Sequence, residues 1–276
     1  MGYDLHTHSL HSDGRSSAID LARMAWAGGL TGLAVTDHDT VDHFDEARQA
    51  CAVFGLDWIP GLELSTERGT TSVHLLGLWV EPDDRGLRHE LRRLRGERER
   101  RARVMVDRLR GFGAALTWQD VAARAGSAPV GRPHLAAAMV QAGVVPTPGR
   151  AFSDWIGENG PAYEPKRALD PVAGVALIRA AGGVAVLAHP SWGGVDMPLL
   201  DALVTAGLGG LEAGRGYDPE ETDRYWHRAA AVRDLLVVTG TDFHGAPQSL
   251  TIGDRTTPEA LVEGLRARVG REVSRW

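Results

Sequence analysis

Cysteine is nearly absent, with Cys51 standing alone in 276 residues. That excludes a disulfide framework and a thiolate-rich zinc site, and it makes a reducing compartment the expectation. No apolar run approaches the roughly 18–20 residues that span a bilayer. The opening MGYDLHTHSL has no basic start leading into an apolar stretch, so neither a secretory leader nor a membrane partner is expected, and a cytoplasmic location is. Lysine is equally scarce. Of 30 Lys and Arg residues only Lys166 is a lysine, which reads as genomic base composition rather than as a site. An excess of positive charge is missing too. The net charge of −6 argues against a general nucleic-acid coat protein, but it leaves small phosphate ligands open, because local charge matters more than the total. Between Arg85 and Arg110 eleven Arg face four acids, Glu90, Glu97, Glu99 and Asp107. With 43% hydrophobic and 24% charged residues, the chain is neither disordered nor fibrous.

Short Val- and Leu-rich runs alternate with helical patterning. Tyr3–His6, Gly32–Thr36, Trp58–Pro60, Val73–Val80, Gly183–Ala188, Gly210–Ala213 and Leu235–Thr239 read as seven buried strands. Ser17–Ala27, Asp42–Phe54, Pro171–Ala181, Met197–Ala206 and Pro219–Arg233 read as helices between them. This alternation predicts a parallel α/β architecture, closed as a barrel rather than left as a flat sheet. It breaks between about Arg88 and Tyr163, where a long Arg-rich helix carries Leu91, Leu94, Met105 and Leu109. Trp118–Ala125, Pro133–Gln141 and Phe152–Ile156 follow as shorter helices separated by Gly and Pro. The expected organisation is a barrel over residues 1–87 and 163–276, with a helical substrate-recognition subdomain inserted at 88–162.

Asp4-Leu-His6-Thr-His8 places two imidazoles on one face of a strand, with Asp4 on the same side to orient one of them. Alone, such a pair is as compatible with two surface histidines. It is not alone. His38 in Thr36-Asp-His-Asp39, His189 in Ala188-His-Pro190 and the pair Asp242 and His244 each follow a predicted strand. Ligand-type residues at the C-terminal ends of several strands are how α/β barrels assemble active sites, and structural histidines have no reason to collect there. Glu63, between two leucines, and His74, inside an apolar run, are further candidates. For His74 a satisfied core histidine is the competing role. Imidazoles and carboxylates without thiolates suit Mn, Fe or Zn.

DLHTHS, TDHDT, the Glu of GLELS, the His of HLLGL, AHP and GTDFHG occur in this order, from Met1 to about Gly253. Together they resemble the motifs of the polymerase and histidinol phosphatase (PHP) superfamily. The resemblance implies a distorted seven-stranded (β/α) barrel with a trinuclear metal site. It implies that His6, His8, Glu63 and Asp242 bind one ion, that Glu63 bridges to a second completed by His74 and His189, and that Asp13, His38 and His244 hold the third. Some relatives carry His where Asp13 stands, and an Asp there resembles the nucleotide-phosphatase branch. The helical insertion and the GRPH segment resemble stand-alone phosphoesterases acting on nucleotides, among them 3′,5′-nucleoside bisphosphate phosphatases and enzymes that trim short RNA from the 5′ end.

The expected activity is therefore hydrolysis of a nucleotide phosphoester. Two or three divalent ions would serve it, manganese foremost, with iron or zinc as alternatives. The nucleophile would be a metal-bound hydroxide held by Glu63, Asp242 and His189. The expected substrate is a small phosphorylated molecule, a nucleotide or short oligonucleotide, with no obligate protein partner. Arg132 and His134, opening a helix at Gly131-Arg-Pro-His134, are candidates for a second phosphate, since a helix N-terminus favours anions. Capping the subdomain surface is their alternative role. Arg98 and Arg101 on the basic helix are candidate substrate contacts by resemblance, with a solvated helix face as the alternative. A histidinol-phosphate phosphatase and a non-catalytic metal-stabilised binding module are the competing readings.

Overall fold

Strands and helices alternate along the chain, and the computed structural model describes residues 2–69, 71–126, 128–214, 218–246 and 250–270. The strands are β1 (Gly2–Asp4), β2 (Gly32–Leu33), β3 (Asp57–Trp58), β4 (Gly61–Arg68), β5 (Thr71–Leu78), β6 (Val184–Ala188), β7 (Gly210–Glu212), β8 (Leu236–Val238) and β9 (Thr257–Pro258). The helices include α1 (Ala18–Ala27), α2 (Phe44–Phe54), α3 (Arg85–Gly111), α4 (Trp118–Ala125), α5 (Arg132–Gln141), α6 (Pro148–Ala151), α7 (Pro171–Ala180), α8 (Met197–Ala206), α9 (Glu220–Ala231) and α10 (Glu259–Arg266). The expected helix Phe152–Ile156 is a single π-helical turn. Helix starts follow the side chains. Ser17 Oγ accepts from Asp20 N, Asp84 caps α3 through Leu87 N, and Asp196 caps α8 through Leu199 N.

The fold is mixed α/β, and it departs from the expected parallel arrangement. Ladder pairing gives a four-stranded sheet, β3-β2-β1-β9, and a five-stranded sheet, β4-β5-β6-β7-β8. The β4–β5, β5–β6 and β1–β9 pairs are antiparallel, and the others are parallel. Two strands lie outside the seven expected, β4 and β9, and the Leu62-Glu63-Leu64-Ser65 alternation was the signal for β4. Because β4 follows β3 within three residues and returns through a tight turn at Gly69 (φ +62°), it pairs with β5 as a hairpin.

Neither sheet is closed by ladders among the described residues. Single bridges join them instead, Thr7 with Phe243 and His38 with Glu63. Each is reinforced by backbone bonds: His8 N to Phe243 O (2.9 Å), Asp242 N to His6 O (2.8 Å) and Asp39 N to Glu63 O (2.9 Å). The sheets also share one apolar interior, where Leu5, Ala34 and Ile59 pack with Leu76, Val186 and Val238. Both bridges lie at the strand ends that carry the candidate ligands.

Helix α3 runs between two cores. Leu87, Leu91 and Leu94 pack with α7, α8 and the five-stranded sheet. Met105, Val106 and Leu109 join Val121, Leu135, Met139, Ile156 and Ala162 in a separate cluster built by the helices that follow.

Candidate metal centre

Backbone extending from β1 carries His6 and His8, both fully buried. Gly240 makes room for His6, since a Cβ there would lie 2.6 Å from His6 Cβ. His38 follows β2, Glu63 lies on β4, His74 on β5, His189 follows β6, and Asp242 and His244 follow β8. The backbones of Asp39, His189 and Asp242 are left-handed (φ 52°, 30° and 51°), a strained state for non-glycine residues that concentrates at functional sites.

All nine candidate ligands converge, with Glu63 at the centre. Its Oε2 lies 3.3 Å from His6 Nε2, 3.2 Å from His8 Nε2 and 3.1 Å from His38 Nδ1. Its Oε1 lies 2.8 Å from His74 Nδ1 and 2.9 Å from His189 Nε2. Asp242 Oδ1 is 3.2 Å from Nε2 of both His6 and His8. Asp13 Oδ1 is 3.3 Å from His244 Nε2 and 3.8 Å from His38 Nε2. Three groups could each hold an ion: His6, His8, Glu63 and Asp242; His8, Asp13, His38 and His244; and His38, Glu63 and His74. The first matches the expected set. The geometry places His38 between the other two, and His189 meets them through Glu63.

The donor atoms fit cations. His6 Nε2, His8 Nε2, His38 Nδ1, Glu63 Oε2 and Asp13 Oδ1 are buried, and among the described residues none makes a hydrogen bond. Buried polar atoms without hydrogen bonds are costly, and an ion would satisfy several at once. Electrostatics agree. Burial would depress the His8 imidazole, but the Asp242 and Glu63 carboxylates beside it outweigh burial and push its pKa up to about 10. Burial would raise Glu63, yet the surrounding His38, His74 and His6 hold it well below the usual carboxylate range. At His38 burial wins and pushes the pKa down to about 3, so that imidazole is neutral and can donate a lone pair.

Two supporting contacts differ from expectation. Asp4 does not orient an imidazole. Its carboxylate accepts from the Thr241 hydroxyl Oγ1 (2.7 Å) and from the backbone amides of Thr241 (3.0 Å) and His6 (3.3 Å). The ring is held by Glu212 at the end of β7, whose Oε1 lies 3.0 Å from His6 Nδ1 and whose Oε2 accepts from His189 N (2.9 Å). Sequence reading passed over Glu212, although an acid ending a buried strand was its signal. The remaining histidines stay outside the cluster. His43 is buried against the Val35 and Gly61 carbonyls, His11 pairs with Glu46, and His89 and His227 are exposed.

Alternate residues of a strand share a face, so Glu63, Ser65 and Glu67 line up opposite Leu76, His74 and Ser72. This row leads from the cluster into a hollow lined by Arg98, Arg101, Arg132 and Lys166 together with Asp39, Leu94 and Leu135. Arg98 bonds Asp39 Oδ2 (2.6 Å) and Ser65 Oγ (2.8 Å). Arg101 Nε donates to Glu164 O (2.6 Å). Lys166 donates to Ser72 Oγ (3.3 Å), and burial, then repulsion from Arg98 and Arg101, lowers its pKa to about 8. The lone lysine, read as composition, thus joins the cationic wall. His134 does not line the hollow. Its Nδ1 accepts from Gly131 N (3.0 Å), which closes the first turn of α5.

The family model for the PHP domain matches residues 4–102. A 5′-3′ exoribonuclease of Haemophilus influenzae is 31% identical over 260 residues, covering 88% of this chain and 89% of that protein. This chain belongs to the PHP family. The PHP chain is also 31% identical over 251 residues to a 3′,5′-nucleoside bisphosphate phosphatase of Chromobacterium violaceum, covering 87% and 86%. A Bifidobacterium adolescentis structure assigned as a metal-dependent phosphoesterase superposes with a TM-score of 0.92 at 33% identity, covering 100% of this chain and 99% of that one. Membership makes this PHP protein a metal-dependent phosphoesterase. No described helix is long and apolar enough to cross a membrane.

Proposed function

We propose that this PHP phosphoesterase hydrolyses a nucleotide phosphoester and holds a second phosphate of the same substrate in the cationic hollow. The favoured substrate is a 3′,5′-bisphosphate nucleotide that loses its 3′-phosphate. Trimming short RNA from its 5′ end is the related form of the same chemistry. The observation that carries this reading is the shared face of β4 and β5, which leads from Glu63 through Ser65 and His74 to Lys166. The two named relatives act, by their names, on a nucleoside bisphosphate and on RNA.

In this reading β1, β2 and β4–β8 work as one distorted seven-stranded ring, joined at Thr7/Phe243 and His38/Glu63. Residues 88–162 form the inserted recognition subdomain. His6, His8, Glu63 and Asp242 would hold one ion, Glu63 with His74 and His189 a second, and Asp13, His38 and His244 a third, manganese being the first choice and iron or zinc the next. Bound divalent ions neutralise phosphate charge and lower the pKa of water. The chain's own residues do the rest. Glu212 fixes the His6 ring, and Arg132, Arg101 and Lys166 draw in the second phosphate. Arg98, anchored on Asp39, shapes the wall between the two phosphates.

The test compares kcat/KM of metal-loaded protein for adenosine 3′,5′-bisphosphate, adenosine monophosphate, histidinol phosphate and a short 5′-phosphorylated RNA. Charge-assisted contacts to the second phosphate should favour the bisphosphate over the monophosphate by on the order of ten- to a hundredfold. Histidinol phosphate emerging as best substrate would overturn the proposal.

A further inference from the structure

Arg132 lines the hollow, and among the described residues its side chain makes no hydrogen bond and no ion pair. Two aromatic rings hold it instead. Its Cζ lies 5.5 Å over the centroid of the Phe152 ring and 5.9 Å over that of Tyr163. Arg101, also in the wall, has its Cζ 5.3 Å over the same Tyr163 ring. The rings themselves stand outside the lining of the hollow. Particular backbone brings them to the arginines. The π-helical turn that starts at Phe152 closes through Gly157 N donating to Phe152 O (2.9 Å), and a Cβ on Gly157 would run into that oxygen. The chain then folds back, with Ala162 N donating to Trp155 O (3.0 Å), and a Cβ on Gly160 would run into the same carbonyl. Tyr163 follows, and its own carbonyl accepts from Arg108 on α3. Single π-turns in helical segments are frequent at functional sites.

A carboxylate would also fix an arginine, as Asp39 fixes Arg98, but it would cancel the charge. An aromatic face attracts the cation and carries no charge of its own. Arg101 is treated in the same way. Its Nε donates to a carbonyl, Glu164 O, and burial followed by Arg132 lowers its pKa to about 10, so it stays cationic at neutral pH. We propose that Phe152 and Tyr163 are positioning residues for Arg132, holding its guanidinium at the hollow by their π-faces so that its full charge is available to the second phosphate of the substrate. The inference rests on the second-phosphate reading above and adds two residues that act through the arginine. Ordinary core packing is the competing role, since Phe152 also packs on the cluster of Met105, Leu135 and Ile156.

The experiment uses the metal-loaded full chain with adenosine 3′,5′-bisphosphate and adenosine 3′-monophosphate, which lacks the second phosphate. Leucine at 152 keeps an apolar side chain in the cluster without a π-face. In Phe152→Leu the KM for the bisphosphate should rise about 2- to 30-fold, the range of a lost cation–π contact, while kcat, metal content and the monophosphate stay close to wild type. Tyr163→Leu should do at least as much, because it also releases Arg101, and Tyr163→Phe should behave as wild type. In an Arg132→Met background the Phe152→Leu loss should vanish. Equal effects on both substrates, no effect on either, or a loss that persists in that background would reduce the rings to core packing and overturn the inference. The Arg132 Nε–Hε NMR signal, identified by its disappearance in Arg132→Met, reads the contact without turnover. Ring currents should shift it upfield in wild type and less so in Phe152→Leu, and inorganic phosphate should perturb it at lower concentration in wild type. If Arg132→Met leaves the preference for the bisphosphate intact, the second-phosphate reading of Arg132 fails. The inference falls with it if phosphate perturbs the signal equally in wild type and Phe152→Leu, and stands apart from it if wild type responds first.

Discussion

The Glu212 carboxylate meets the His6 ring at Nδ1 over 3.0 Å, with both groups fully out of solvent. A proton shared on that side leaves Nε2, which faces Glu63 and Asp242, with its lone pair for a metal. Because Glu212 also accepts from His189 N, one acid on β7 braces two candidate ligands, one after the neighbouring β6 and one after β1 in the other sheet.

Glu212→Gln should weaken this support without touching the cluster's donor atoms. Metal affinity should fall by roughly 10- to 100-fold, the usual consequence of losing an outer partner of a ligating histidine. Competition with a chelator measures it, and an unchanged affinity would remove Glu212 from the site.

Glu63→Gln should cost more than one ion. The two Glu63 oxygens divide the surrounding imidazoles between them, three on Oε2 and two on Oε1. Elemental analysis after reconstitution should show a loss of more than one metal equivalent per chain. Loss of a single equivalent would show that Glu63 serves one ion only.

Lys166 should give substrate binding an alkaline limb. Burial, then Arg98 and Arg101, holds its pKa at about 8, below the usual lysine value. Below that pH the group is cationic and attracts phosphate. As pH rises through it, the charge is lost, and bound phosphate moves the limb upward. KM for the bisphosphate should climb above pH 8 in wild type. In Lys166→Met it should be raised by on the order of tenfold at pH 7 and stay flat across the same range. A limb that survives the substitution would belong to another group.

Arg98→Met should destabilise the fold as well as the hollow. Asp39 is buried and would keep its charge without the partner that now bonds its Oδ2. Breaking such a pair from one side costs about 3–5 kcal/mol. Adding Asp39→Asn should recover part of that, since Asn also tolerates the left-handed backbone at this position. Urea midpoints of the single and double variants decide, and additive losses would show that the two residues are not coupled.

The ligand types were legible in the sequence because strand ends enforce them. Imidazoles and carboxylates recur after β1, β2, β6 and β8, where the backbone leaves the sheet and side chains can converge. The helices were legible by apolar spacing, and the structure shows their starts fixed by caps such as Ser17, Thr117 and Asp196. The β4–β5 hairpin was harder to see. Its polar face carries Glu63, Ser65 and Glu67, which resembles a loop until the facing sheet supplies their partners.

Residue order and local chemistry determined which side chains could bind metal and which segments alternate between strand and helix. Only the tertiary structure decided who supports whom. The Asp4 carboxylate turned to Thr241 and the ring of His6 to Glu212, 206 residues away, because strand neighbours are set by sheet order and not by sequence distance. Lys166 looked like an accident of composition until the chain brought it beside Ser72, 94 residues earlier. Charge and ligand type are properties of a residue. The field that makes a lysine or a glutamate useful is a property of its neighbours, and those exist only once the chain has folded.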